Sequence, residues 1–182
     1  MSMEMLSSVW KSLRMNKTAM AGFVIVLGVV LIAFLSPVIS PYEPSTLFVG
    51  PKLRPPSREF LLGTDDLGRD LLSRIFWGAR ISIYIGVTTS LLAAAIGIVI
   101  GAISGYFSGH VDSVLMRLTD ILLTLPTLIL IITAVAMFKQ RGLEAIIIIM
   151  GFLGWPSLAR IVRAEFMSLK ERPFVEASRT MG

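Results

Sequence analysis

Few side chains in this sequence have the chemistry for catalysis, and most of those sit together. Asp65, Asp66 and Asp70 form its one close carboxylate cluster. Paired carboxylates are what general acid–base chemistry uses, provided their surroundings drive their pKa values apart. Here Arg69 and Arg74 stand four residues after Asp65 and Asp70, acid first, so each acid has a cation within helical reach. Structural pairing is then the simpler use of the cluster. His110 is the single histidine and lies between Gly109 and Val111. Metal centres want several convergent ligands, so it reads as a solvent-facing turn residue. Asp120 heads a long apolar run, where an ionisable group is a functional suspect, although an acid at a helix start also complements the dipole. The absence of cysteine removes disulfides, thiolate metal sites and thiol nucleophiles together. No G-x-x-x-x-G-K-[ST] pattern occurs, so no P-loop for ATP is expected. These residues predict no catalytic centre, no metal and no cofactor held by the chain itself.

The elements that must position these groups are membrane helices. Of the residues, 54% are hydrophobic and 16% charged, the mean hydropathy is +0.78, and the apolar residues come in blocks; a membrane protein is the class that fits. The net charge of +5 is spread over termini and loops, and the aromatics lie in or beside apolar runs, which argues against a nucleic-acid partner. Residues 1–18 read as an amphipathic arm on the cytoplasmic surface, with Leu6, Val9, Trp10 and Leu13 on one helical face. Ala19 to Ile39 is a charge-free run of 21 residues, long enough to cross a hydrocarbon core of about 30 Å and too long for a signal-peptide core.

Residues 40–80 read as a long extracytoplasmic loop opened by Pro37, Pro41 and Pro44. Within it Leu67, Leu71, Leu72, Ile75 and Phe76 predict a short amphipathic helix lying along the outer face. Residues 81–182 form the remaining core, with further spans at about 81–104, 119–138 and 143–159. In the second span Gly97, Gly101 and Gly105 recur every four residues, the spacing that lets helix backbones approach in lipid. Whether that face packs within the chain or against another subunit is open at this level. Tyr106 to about Leu118 reads as a loop. Pro126 should kink the third span, and Gly151, Gly154 and Pro156 mark the fourth as irregular. Arg160 and Arg163 are placed to snorkel to the head groups. Basic residues divide nearly evenly, nine against eight, so orientation rests on those flanking the first span and the dense set from Arg160 onward, both read as cytoplasmic.

Two stretches carry a family resemblance. Leu62-Gly63-Thr64-Asp65-Asp66-Leu67-Gly68-Arg69-Asp70, continued through Ser73, Arg74 and Gly78-Ala79-Arg80, resembles the outer-loop signature of the C-type permease subunits of dipeptide, oligopeptide and nickel ABC importers. The segment after the last span turns charged, and its Glu176-Ala177-Ser178 followed by Gly182 resembles the start of the family's EAA loop, the helix that couples a permease to its ATPase. Ser178 stands where the family usually has Ala. The resemblance implies an all-α polytopic fold, that of type I ABC importer permeases, here its N-terminal four spans in a bacterial or archaeal cytoplasmic membrane. It also implies four kinds of partner: a homologous permease subunit, two ABC ATPase subunits that bind ATP and Mg, an extracytoplasmic substrate-binding protein, and membrane lipid. Family members continue through the rest of the loop and two more spans, so the chain is expected to be partial. A membrane-embedded enzyme using the outer carboxylates, and a non-transporting scaffold, remain the rival readings.

Overall fold

A computed structural model describes residues 15–137 and 142–175. The arm up to Arg14, the Lys139–Arg141 turn and the Glu176–Gly182 segment lie outside those residues. The described chain is helical and divides into two compact units, residues 1–84 and 85–182.

In the first unit, α1 (Lys17–Ile39) begins where the Asn16 side chain accepts the free N–H groups of Thr18 and Ala19 at 3.1 and 3.2 Å. Most of its large apolar side chains are exposed, Val38 by 83%, as a helix solvated by lipid requires. Residues 40–70 follow as an irregular loop. The outer amphipathic helix expected from Leu67 onward does not form as a separate element: residues 61–69 are turns apart from Thr64, which bridges to Asp70, while Leu71, Leu72, Ile75 and Phe76 belong to the start of the next helix. The cause is local. Gly63 and Gly68 take the left-handed region at φ +80° and +70°, and the Asp65 carboxylate claims the backbone N–H groups of Leu67 and Arg69, both at 2.9 Å. A side chain that satisfies its neighbours' amides in this way competes with the helix ladder.

Helix α2 (Leu71–Phe107) therefore starts at Leu71 and runs unbroken for 37 residues, longer than the expected span 81–104. At 1.5 Å per residue it is about 55 Å long, well beyond a hydrocarbon core. In the second unit the chain turns through Ser108 (φ +55°) and Gly109 (φ +61°) directly into α3 (Gly109–Thr124). The loop expected between Tyr106 and Leu118 is thus mostly helix, and His110 sits exposed in its first turn. Pro126 does more than kink the third span. Leu125 is extended, as the residue before a proline prefers, and α3 meets α4 (Thr127–Met137) at 87°. Helix α5 (Leu143–Lys170) remains one helix through Gly151, Gly154 and a buried Pro156, and continues past the expected end at Ala159.

The buried side of α5 contains Ala145, Ile149, Gly151, Trp155, Pro156 and Ala159. Glycines of α2 lie against its backbone. A Cβ added at Gly97 would lie 3.0 Å from the Trp155 carbonyl oxygen, and one at Gly101 2.5 Å from that of Ala159. One at Gly105 would lie 2.9 Å from the Arg163 carbonyl oxygen. Later glycines meet later residues, so α2 and α5 run parallel at this contact. Their C-terminal ends therefore share a side, and residues 109–137 between them must return the chain across. Among the described residues three unbroken helices are long and apolar enough to cross a membrane, and the bent pair α3–α4, counted as one broken span, would bring the number to four.

Candidate functional site

Two polar constructions stand out, one in each unit. The first is a knot in the loop of residues 40–70. Phe60 is its buried centre, stacked on Tyr42 at 5.7 Å with the Arg54 guanidinium 5.5 Å from its ring centroid, and Gly50 leaves the space the ring fills. Thr64 ties the loop across itself: its Oγ1 accepts the Arg54 N–H at 2.9 Å and donates to the Pro51 carbonyl. Asp65 accepts four hydrogen bonds, from the Leu67 and Arg69 amides, from Arg69 Nε at 2.7 Å and from Arg74 Nη1 at 2.5 Å. Burial pushes its carboxyl up, but the Arg69 amide and guanidinium and the Leu67 amide outweigh this and hold it well below the usual carboxylate range.

The expected Asp70–Arg74 pair does not form. Asp70 immediately precedes α2, so its carboxylate takes the Ser73 amide at 2.8 Å and the Ser73 hydroxyl at 2.6 Å, the work of a helix cap, and Arg74 reaches Asp65 instead. Ser73 Oγ in turn accepts the Tyr42 amide at 3.1 Å. Arg80 lies over the Trp77 ring at 5.4 Å. Gly63, Thr64, Asp65, Gly68, Arg69, Asp70 and Arg74 are thus brought together as one fastening, whereas Arg80 lies apart from it. The Asp65 and Asp70 carboxylates thus serve as fasteners, and Asp66 beside them is exposed.

The second construction joins the end of α2, the start of α3 and the end of α5. Asp112, in the first turn of α3, accepts two bonds from Arg163 of α5, Nε to Oδ1 and Nη2 to Oδ2, both at 2.5 Å. Its Oδ1 also accepts the hydroxyl of Ser104 of α2, wholly buried, at 2.5 Å. Lys170, the last residue of α5, donates to the carbonyls of Gly105 and Tyr106 at 3.2 and 2.6 Å and to Ser108 Oγ at 2.9 Å. Those carbonyls close α2, where the negative end of the helix dipole favours a cation. Farther along α3, Asp120 pairs with Arg160, both half exposed. The arginines expected to snorkel thus face acids of α3, because α3 starts ten residues earlier than the expected span and brings Asp112 and Asp120 alongside α5. Asp120 consequently sits toward the end of its helix, and the acid at the head is Asp112.

Known proteins share this arrangement of sequence. Residues 97–182 match the family model described as binding-protein-dependent transport system inner membrane component. Residues 4–56 match that of the N-terminal transmembrane domain of oligopeptide transport permease C. This chain belongs to the binding-protein-dependent transport permeases. The permease is 42% identical over 179 residues to the oligopeptide transport system permease protein of Bacillus subtilis, covering 96% of this chain and 58% of that protein. It is 38% identical to the dipeptide transport system permease proteins of B. subtilis and Haemophilus influenzae, covering 95% and 97% of this chain and 54% and 62% of those proteins. The permease therefore spans little more than half the length of these relatives. It is a multi-pass inner-membrane chain of all-α build, from a family of transport permeases and not of enzymes.

Of the residues predicted for coupling, Glu176, Ala177, Ser178 and Gly182 lie outside the described residues. Ser104, Asp112, Arg163 and Lys170 were not singled out by sequence as a site. Asp112 and Arg163 are 51 positions apart, and no local pattern connects them. The available hint was Ser104 beside the Gly97–Gly101–Gly105 series, a polar group in a span that needs a partner.

Proposed function

We propose that the permease is one membrane subunit of an ATP-driven importer of peptides, and that a binding protein delivers the substrate. In this reading a homologous permease completes the path, and two ATPase subunits bind ATP and Mg. The chain contributes helices and a coupling segment, with no catalytic residue and no metal of its own. The observation that supports this best is the course of α5. It passes through the membrane as one helix, ends at Lys170 on the side shared with the end of α2, and leads through a helical turn at residues 173–175 into Glu176–Gly182. That side is the cytoplasmic one if the basic residues after Arg160 follow the positive-inside rule. A displacement imposed on the segment by an ATPase would be felt directly by α5. Peptide as the substrate class follows the relatives, whose names specify oligopeptides and dipeptides.

The test is co-purification and coupling. A full-length version should bring ATPase subunits with it. Ala177→Trp, which inserts bulk into the small face of the segment, should then leave insertion intact and abolish most peptide-stimulated ATPase activity. Normal assembly and stimulation in that variant would reduce the segment to a solvated tail.

A further inference from the structure

Three helices meet at the second polar construction, and each pair of them is joined separately. Ser104 to Asp112 links α2 to α3, and Asp112 to Arg163 links α3 to α5. Lys170 links α5 back to the last carbonyls of α2, and Gly101 and Gly105 hold the same two helices in backbone contact. The links form a closed triangle, so no one helix can shift without breaking a charged hydrogen bond. The Asp112–Arg163 pair suits this role: it is bidentate, and Asp112 is only 14% exposed, so water competes weakly for it. The Arg160–Asp120 pair, with both side chains about half exposed, contributes much less. Lys170 adds a feature of position. It is the final residue of α5, so the helix is fastened at the point where the chain departs for residues 171–182.

We infer that Asp112, Arg163 and Lys170 weld the α2–α3 corner to the end of α5. A push on the segment after Lys170 then moves the three as one block and reaches α4 through the bend at Pro126. Asp112 and Arg163 are positioning residues in this scheme, since nothing requires them to touch substrate or nucleotide. The weld is a property of this chain; the push rests on the importer reading above.

The experiment takes the full-length permease co-expressed with its ATPase subunits, reconstituted in nanodiscs, with spin labels at Leu118 of α3 and Ser168 of α5 in a background without other cysteines. Both positions are exposed and outside the clasp. Without nucleotide, the label-to-label distance should form a single narrow distribution. It should lose that single peak in Arg163→Met and in Asp112→Asn, and regain it in the double exchange Asp112→Arg with Arg163→Asp. Trapping with ATP and vanadate should leave the wild-type distance unmoved while labels at Leu118 and Ala134, across the Pro126 bend, change theirs. Unchanged narrow distributions in both single variants would overturn the weld. A wild-type Leu118–Ser168 distance that moves on trapping would overturn the single block. If no ATPase co-purifies with the wild type, the importer reading and the relay fail together, and the weld is still decided by the nucleotide-free distributions.

Discussion

Gly101→Ala tests the central packing claim, because the structure sets both sign and size. The added methyl carbon would lie 2.5 Å from the Ala159 carbonyl oxygen, 2.8 Å from Val162 Cβ and 3.1 Å from the Arg163 amide nitrogen. Non-bonded carbon prefers about 3.5–4.0 Å, so the helices must part by about 1 Å. Two of the three obstructing atoms are backbone, so no change of rotamer relieves them. A gap of that size forfeits about a quarter to a half of each neighbouring dispersion contact, and overpacking of this kind costs about 1–3 kcal/mol. Replacing glycine within a helix returns about 0.5–1 kcal/mol, which leaves a net loss of up to about 2.5 kcal/mol. Gly86, on the same helix, has nothing within 4 Å of an added Cβ, so Gly86→Ala receives only the helical gain and should stabilise. Unfolding of the full-length permease by SDS titration in mixed micelles, followed by far-UV circular dichroism, reads both. Gly97→Ala, whose nearest atom is 3.0 Å away, should fall between them. The reasoning is refuted if Gly101→Ala stabilises as Gly86→Ala does.

Two further outcomes follow from the loop and the bend. The Asp65 carboxyl is held below its ordinary value, so its contribution to the loop is present above about pH 4 and is lost only as pH falls through the lowered value. Hydrogen exchange of residues 44–70 should therefore stay slow down to about pH 4, whereas Asp65→Asn should exchange fast at neutral pH; a variant indistinguishable from wild type would show that the carboxylate fastens nothing. Pro126→Ala removes the restriction that holds Leu125 extended and should let α3 run on into α4. Spin labels at Val114 and Ala134 should then separate from about 22 Å, the distance across a right-angled bend, to about 30 Å along one helix, and an unchanged separation would place the cause of the bend outside the proline.

The class of this protein was legible in the residues alone. Apolar runs such as Ala19–Ile39 are long enough to cross a bilayer, and burial in lipid asks little more of a sequence than length and hydrophobicity. The outer-loop signature and the small-residue series were legible for the same reason, since each is a pattern of near neighbours along the chain. What sequence patterning mistook were the places where a side chain overrides periodicity. An apolar stripe around Leu67 predicts helix, but one carboxylate, Asp65, takes the amides that helix would use. The acid-first spacing of Asp70 and Arg74 predicts a pair, but it presumes both residues are already inside a helix, and Asp70 is its cap. Only the tertiary structure decided that Gly97, Gly101 and Gly105 face α5 of the same chain, that α2 and α5 run parallel, and that Asp112 holds Arg163. Those contacts join residues about fifty to sixty positions apart. Their selection depends on how backbones fit once the glycines let them close, and no local spacing along the chain carries that information.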